Sequence, residues 1–297
     1  MIRMAGPADL PVLQRLCGGD PFGCRILSLA NAYGFDKPFA GFWLQSGEEG
    51  PPHTAICRLD QSAVVCPGQE ARQKSGSQGC LNGYLNGCLN SCSNSLEECL
   101  ESWQEAAAFV RALGCTAALA PWNRHAAQFW PPEQVATGPV MRLAAPAGGR
   151  RGRSGRIKNV PKEPPSLLQI HGLLAQCAGP GFSPPPRDAF YVDMSHRVRH
   201  GAARAVALTQ PAGEASGDLA ACALTVAETS AMAVIGAVAC SPALRGQGLG
   251  RAALDALCAQ LSAEGKQAYL FCLPQLRRFY EAAGFVAGGC WMELSFS

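Results

Sequence analysis

Hydrophobic positions along this chain switch between two spacings, and the switches mark its elements. Leu167, Ile170, Leu173 and Leu174 fall on one face of a helix predicted over Pro165–Cys177, and Arg187–His200 reads as a second helix. The pattern then shortens. Arg204–Gln210, Leu219–Glu228 and Met232–Cys240 are rich in apolar and β-branched residues and predict three successive antiparallel strands. Gly213–Gly217 connects the first two and Thr229–Ala231 the last two. Helical spacing returns with Leu254, Leu257, Cys258 and Leu261, until Gly265 supplies a stop. A strand over Gln267–Leu273, a helix over Pro274–Ala283 and a strand over Phe285–Phe296 complete this half.

The first half predicts a comparable order. A helix starts near Ala8-Asp9-Leu10-Pro11, and a second helical stretch covers Gly23–Tyr33. Phe39–Leu44 reads as a strand, with His53–Asp60 and Gln61–Cys66 as a following hairpin. Gly68–Ser95 breaks the pattern: it is polar and carries a four-residue repeat, Leu81-Asn82-Gly83-Tyr84, Leu85-Asn86-Gly87-Cys88, Leu89-Asn90-Ser91-Cys92. A disordered insertion is expected there. Leu96–Leu113 returns as a helix, Cys115–Ala120 as a strand and Trp122–Trp130 as a short helix halted by Pro131-Pro132. Residues 145–164 are rich in Gly, Pro and Arg and read as a solvated linker. No aromatic residues interleave with the basic ones to stack bases, so nucleic acid is not the expected partner. The expected domains are therefore 1–144, with the insertion at 68–95, and 165–297.

One stretch organises the second half: Arg245-Gly246-Gln247-Gly248-Leu249-Gly250-Arg251, placed where the strand Met232–Cys240 gives way to a helix. Glycines let a backbone turn tightly and approach a ligand without a Cβ in the way. The amides opening a helix lack intrahelical acceptors, and the helix dipole adds partial positive charge there. Strand, turn and helix start together suit a phosphate or pyrophosphate, flanked by Arg245 and Arg251. A Walker loop would end Gly-Lys-Ser/Thr, and a dinucleotide fingerprint would need glycine at position 251, so both match poorly.

The stretch resembles the acyl-CoA loop of the GCN5-related N-acetyltransferase (GNAT) superfamily, Arg/Gln-x-x-Gly-x-Gly/Ala, through Arg245, Gly248 and Gly250. The strand Gln267–Leu273 and then Tyr280-x-x-x-Gly284-Phe285 follow, similar to the family's Tyr-x-x-x-Gly-Phe ending. The resemblance implies a GNAT fold, an α/β (α+β) architecture with a mixed, mostly antiparallel sheet flanked by helices. Element order extends it to two tandem lobes, the first degenerate and without a glycine loop. It further implies acetyl-CoA or another acyl-CoA as co-substrate, an amine acceptor and no metal. Val238, Ala239 and Cys240 would meet the pantetheine arm, and Arg245, Gly246, Gln247, Gly248, Leu249, Gly250 and Arg251 the pyrophosphate. Tyr280 would protonate the departing thiolate, and Glu228 would stand nearest to a general base. His196, Arg197 and His200, on the helix Arg187–His200, would line the acceptor site. The chain departs from many relatives at Leu273, where they carry Asn seven positions before the tyrosine.

Composition narrows the setting. The chain has 297 residues, 48% hydrophobic, with a formal net charge of +3, enough for one large domain or two ordinary ones. No apolar run approaches a membrane span, and Met1–Asp20 lacks an apolar signal core. The fifteen cysteines include no Cys-x-x-Cys pair, and Cys80, Cys88, Cys92 and Cys99 match no zinc spacing. Reduced thiols in the cytoplasm are expected, with no membrane partner and with a homodimer left open. The expected activity is N-acetyl transfer by direct attack of an amine. The competing reading is an acyl-CoA sensor or interaction module that keeps the pocket without turnover.

Overall fold

The computed structural model describes residues 1–47, 50–68, 95–127, 130–144, 165–179, 182–209 and 219–296. The repeat-bearing insertion at 69–94, the basic stretch at 145–164 and the Gly213–Gly217 connection lie outside the described residues. The chain divides into two compact units. The first comprises Met1–Met141, Phe271–Arg277 and Ala287–Ser297, and the second Arg142–Leu270 and Arg278–Val286.

The first unit opens with a strand that the hydrophobic pattern does not predict, β1 (Ile2–Met4). Helices α1 (Leu10–Cys17) and α2 (Pro21–Tyr33) follow. Asp20 caps α2, its Oδ1 accepting from the amides of Phe22 at 2.8 Å and Gly23 at 3.0 Å, while Pro21 occupies the first turn, where no amide donor is needed. Strands β2 (Ala40–Gln45), β3 (Thr54–Leu59) and β4 (Ser62–Pro67) form an antiparallel meander. Helix α3 (Ser95–Ala112) leads to β5 (Ala117–Pro121), which pairs parallel with β4 from Ser62 to Val64. Trp103, Ala106, Ala107 and Val110 of α3 pack on Trp43, Ile56 and Val65 of the sheet, the face that their helical spacing sets.

Two expectations for this region change. The helix predicted over Trp122–Trp130 is described only as α4 (Arg124–Ala127), where the Asn123 side chain accepts from the Ala126 amide and Trp130 lies in a bend. Strand β6 (Val135–Leu143) is not predicted because Thr137, Gly138 and Pro139 interrupt its apolar alternation. The strand order of the first unit is β1-β2-β3-β4-β5-β11-β6, where β11 (Phe285–Ser295) is the last strand of the chain. It runs antiparallel to β5, from Trp291 opposite Pro121 to Ser295 opposite Ala117.

In the second unit, α5 (Leu167–Gln176) and α6 (Arg187–Arg199) precede strands β7 (Ala205–Thr209), β8 (Leu219–Glu228) and β9 (Met232–Cys240). Helix α7 (Leu249–Ala263) leads to β10 (Gln267–Phe271), and α8 (Arg277–Ala282) precedes β11. The strand order is β10-β9-β8-β7, antiparallel except for β9 with β10. Ile170, Leu173 and Leu174 of α5 and Phe190 and Met194 of α6 pack on Ala207, Cys222, Leu224 and Ala239. Among the described residues, no helix is long and apolar enough to cross a membrane.

Strand β9 carries the feature that shapes the site. Its parallel pairing with β10 covers Met232–Ile235 against Gln267–Leu270, and β9 itself continues to Cys240. At the same level the ladder with β8 slips. Leu224 faces Ala237, Thr225 faces Ile235 and Ala227 faces Val234, so Val226 and Gly236 drop out of the pairing. The Val226 side chain occupies the space over Gly236: a Cβ built there would collide with Val226 Cγ1. Gly236→Ala is therefore expected to destabilise the protein by about 1–3 kcal/mol through overpacking. Val226→Ala in the same chain should recover much of that loss, which a double-mutant cycle in urea would measure.

Candidate functional site

The end of β9 leads straight into the glycine turn. Ala237 and Ala239 face α5 and α6, while Val238 and Cys240 alternate to the opposite face, half-buried. Cys240 Sγ lies 3.6 Å from the Leu244 carbonyl, and burial raises its thiol above the ordinary range, which opposes a thiolate nucleophile there. After a single turn at Pro242–Leu244, Arg245 is extended (φ −63°, ψ 156°) and exposed. Gly246 (φ +82°) and Gly248 (φ +78°) adopt left-handed backbone that L side chains rarely take. The Gly248 carbonyl accepts from the Ala252 amide at 2.9 Å, so α7 begins there and its first-turn amides face outward along the axis. Residues 245–248 are all exposed.

Arg251, at the third position of α7, is directed away from that turn. Its Nε donates to Asp255 Oδ1 at 2.7 Å and its Nη1 to the Ala282 carbonyl at 2.5 Å. Ala282 closes α8, the helix that carries Tyr280. Tyr280 is buried, with its ring edge-on to Phe279 at 5.0 Å and to Phe285 at 6.0 Å between centroids. Leu273 begins a turn at Pro274–Leu276, within the 271–277 segment of the first unit.

Glu228 lies far from the glycine turn. It pairs with Ala233, seven residues before Cys240, or roughly 23 Å along a strand. Its side chain is 1% exposed and accepts from four donors: Arg204 Nε (2.8 Å), Arg204 Nη2 (2.7 Å), Lys266 Nζ (2.7 Å) and Thr225 Oγ1 (2.8 Å). Burial alone would raise its carboxyl, but hydrogen bonds from Arg204, Lys266 and Thr225 outweigh it and hold it below the usual carboxylate range. Glu264, paired with Arg204 and Lys266, is lowered to about 2. Sequence reasoning identifies the carboxylate but not these partners, which come from β8 and from the flanks of β7 and β10.

Helix α6 brings His196, Arg197 and His200 together. Arg197 is buried, its Nε on Asp193 Oδ1 and its Nη1 on the Val226 carbonyl, both at 2.7 Å. It therefore satisfies the acceptor that the ladder slip leaves behind, and it ties the last turn of α6 to the level of Gly236. His196 and His200 stack with centroids 4.1 Å apart, and His200 Nδ1 faces the His196 carbonyl at 2.9 Å. Because a carbonyl can only accept, Nδ1 is the donor in this contact. Among the described residues, no three His, Cys, Asp or Glu side chains are grouped to hold a metal.

Residues 168–285 match the family model for the acetyltransferase (GNAT) family. By that match, the stretch is similar to GNAT acetyltransferase domains. It contains β9, the glycine turn, α7, Tyr280 and both α6 histidines. Solved structures extend the GNAT fold to the whole chain. A tandem GNAT protein from the clavulanic acid biosynthesis pathway superposes with a TM-score of 0.55 at 14% identity, covering 100% of this chain and 98% of that one. A GCN5-related N-acetyltransferase from Sphaerobacter thermophilus gives 0.53 at 15%, covering 99% and 94%. No curated protein matches the sequence. The chain is thus a mixed α/β protein of tandem GNAT architecture.

The charge network generates a stability prediction. Glu228→Gln should cost about 3 kcal/mol, because it leaves Arg204 and Lys266 short of a buried counter-charge. Both glutamates have depressed folded values, so their contribution is present above the ordinary carboxylate range. In the wild type it should be lost as pH falls below the ordinary carboxylate range, the Glu264 part towards about 2. Urea titrations across that window should show a shallower acid loss in the variant.

Proposed function

We propose that the GNAT domain transfers an acetyl group from acetyl-CoA to an amine by direct attack. The observation that carries this reading is the exposed turn at 245–248 between the free end of β9 and the start of α7. The residues present fit a diphosphate. A Cβ added at Gly246 or Gly248 would meet no atom within 4 Å, so the space over these backbones is open, and a side chain would fill it. First-turn amides of α7 and the exposed Arg245 supply donors and positive charge. Val238, Ala239 and Cys240 lie beyond the pairing with β10, and their backbone groups that point away from β8 would meet the pantetheine arm, with the Cys240 carbonyl also accepting from the Cys177 thiol.

Bound acetyl-CoA supplies an activated thioester. The amine nitrogen attacks the thioester carbon, a C–N bond forms and the C–S bond breaks. Tyr280 gives its phenolic proton to the leaving sulfur. Glu228, held by its four donors, is assigned to strand anchoring rather than to proton transfer. His200 Nε2, on the α6 turn that Arg197 ties to the Gly236 level, takes the amine proton in this scheme, with His196 contacting the acceptor. A reducing, cytoplasmic setting suits eleven free cysteines among the described residues, several of them core thiols; burial pushes Cys222 and Cys258 up to about 12.

A second reading has one observation in its favour: the strand carboxylate nearest to a base role is fully engaged. It describes an acyl-CoA sensor or interaction module that has kept the pocket and lost turnover.

Calorimetric titration with acetyl-CoA separates these outcomes. The wild type should bind, Gly248→Trp should abolish binding, and Arg245→Gln should weaken it about tenfold, or ~1.4 kcal/mol. On an amine panel, Tyr280→Phe should lower turnover about 100-fold while acetyl-CoA affinity holds. Binding without any turnover would favour the sensor, and no binding by the wild type would overturn both readings.

A further inference from the structure

Arg251 closes the Arg-rich glycine stretch, yet its guanidinium is committed elsewhere. Nε is fixed on Asp255, one turn along the same helix, and Nη1 on the carbonyl of Ala282, 31 residues away in sequence. That carbonyl belongs to the last turn of α8, where backbone acceptors lack intrahelical donors and a cation complements the negative helix end. Helix α8 has six residues, far fewer than an isolated helix needs to persist, so its placement depends on contacts from outside. Tyr280 sits two residues before Ala282. The chain then leaves the helix through Ala283, whose amide reaches the Phe279 and Tyr280 carbonyls, and Gly284 at φ +87°.

Resting on the acyl-transfer reading above, we infer that Arg251 is a positioning residue: it clamps the Tyr280 helix onto the helix that follows the glycine turn. Asp255 orients the guanidinium plane so that Nη1 meets the Ala282 carbonyl. Arg245 supplies the side-chain charge for the diphosphate, and Arg251 sets where the phenol of Tyr280 stands relative to that bound group. A fork of donors is required, because one nitrogen must hold Asp255 while another holds the carbonyl. Lysine at this position makes one contact at a time and restores the clamp only in part.

The test compares Arg251→Gln, Arg251→Lys, Asp255→Asn and Arg245→Gln in the full chain. Arg251 and Asp255 are a third to a half exposed, so these variants should fold. Hydrogen exchange of the peptide spanning residues 277–286 should be about tenfold faster in Arg251→Gln, intermediate in Arg251→Lys and Asp255→Asn, and unchanged in Arg245→Gln. By calorimetry, acetyl-CoA affinity should stay within about twofold of the wild type in Arg251→Gln, against a tenfold loss in Arg245→Gln. With an amine acceptor, Arg251→Gln should lower kcat and leave KM for acetyl-CoA unchanged. Wild-type exchange rates over 277–286 in Arg251→Gln would overturn the inference, as would a loss of acetyl-CoA affinity equal to that of Arg245→Gln. If the wild type binds no acetyl-CoA, the acyl-transfer reading fails, and the exchange rates alone decide the clamp.

Discussion

The second unit depends on how strand β9 is held where it leaves β10. Its pairing with β10 ends at Ile235, and at the next residue its ladder with β8 slips. A slip of this kind exposes backbone polar groups in an apolar environment, which is costly unless they are met. Here the Val226 carbonyl is met by Arg197, and Arg197 is in turn fixed by Asp193. The Val226 side chain lies over Gly236, where a Cβ would displace it. The carbonyl that the break leaves on β8 is therefore satisfied from α6. The backbone from Gly236 to Cys240 borders β8 just ahead of the glycine turn.

The other end of the same strands is anchored by charge. Glu228, Arg204, Lys266 and Glu264 join the starts of β7 and β10, the end of β8 and the end of α7. A carboxylate this buried is held by four donors, and removing Arg204 or Lys266 leaves part of its charge without compensation. The division of labour along β8 and β9 follows. One end is rigid and saturated, and the other is open, with left-handed glycines and helix amides free to meet a ligand. A glutamate suited to proton transfer would need a lone pair and a path to substrate, and Glu228 has its oxygens committed.

Much of this was legible from residues alone. The strands Leu219–Glu228 and Met232–Cys240 match their predicted bounds, because buried strands read as continuous apolar runs that end at turns. The glycine turn was legible for a similar reason: positive φ at Gly246 and Gly248 is a local requirement that shows in residue type. Strand β6 was not, since Gly138 and Pro139 break its alternation and only its neighbours in the sheet make it a strand. The short strand β1 escaped notice because three residues carry too little pattern, and pairing with β2 defines it.

Sequence by itself determined the order of elements, the GNAT-like loop and the tyrosine that follows it, because periodicity and backbone preference act within a few residues. Tertiary structure alone decided which charged side chains are free. Glu228 meets Arg204 across 24 residues, Arg197 meets Val226 across 29 and Arg251 meets Ala282 across 31. It also decided that the last strand lies beside β5 of the N-terminal half. Contacts at such separations depend on chain path and register, which no local pattern encodes, so the motif residues were visible in sequence while their commitments were not.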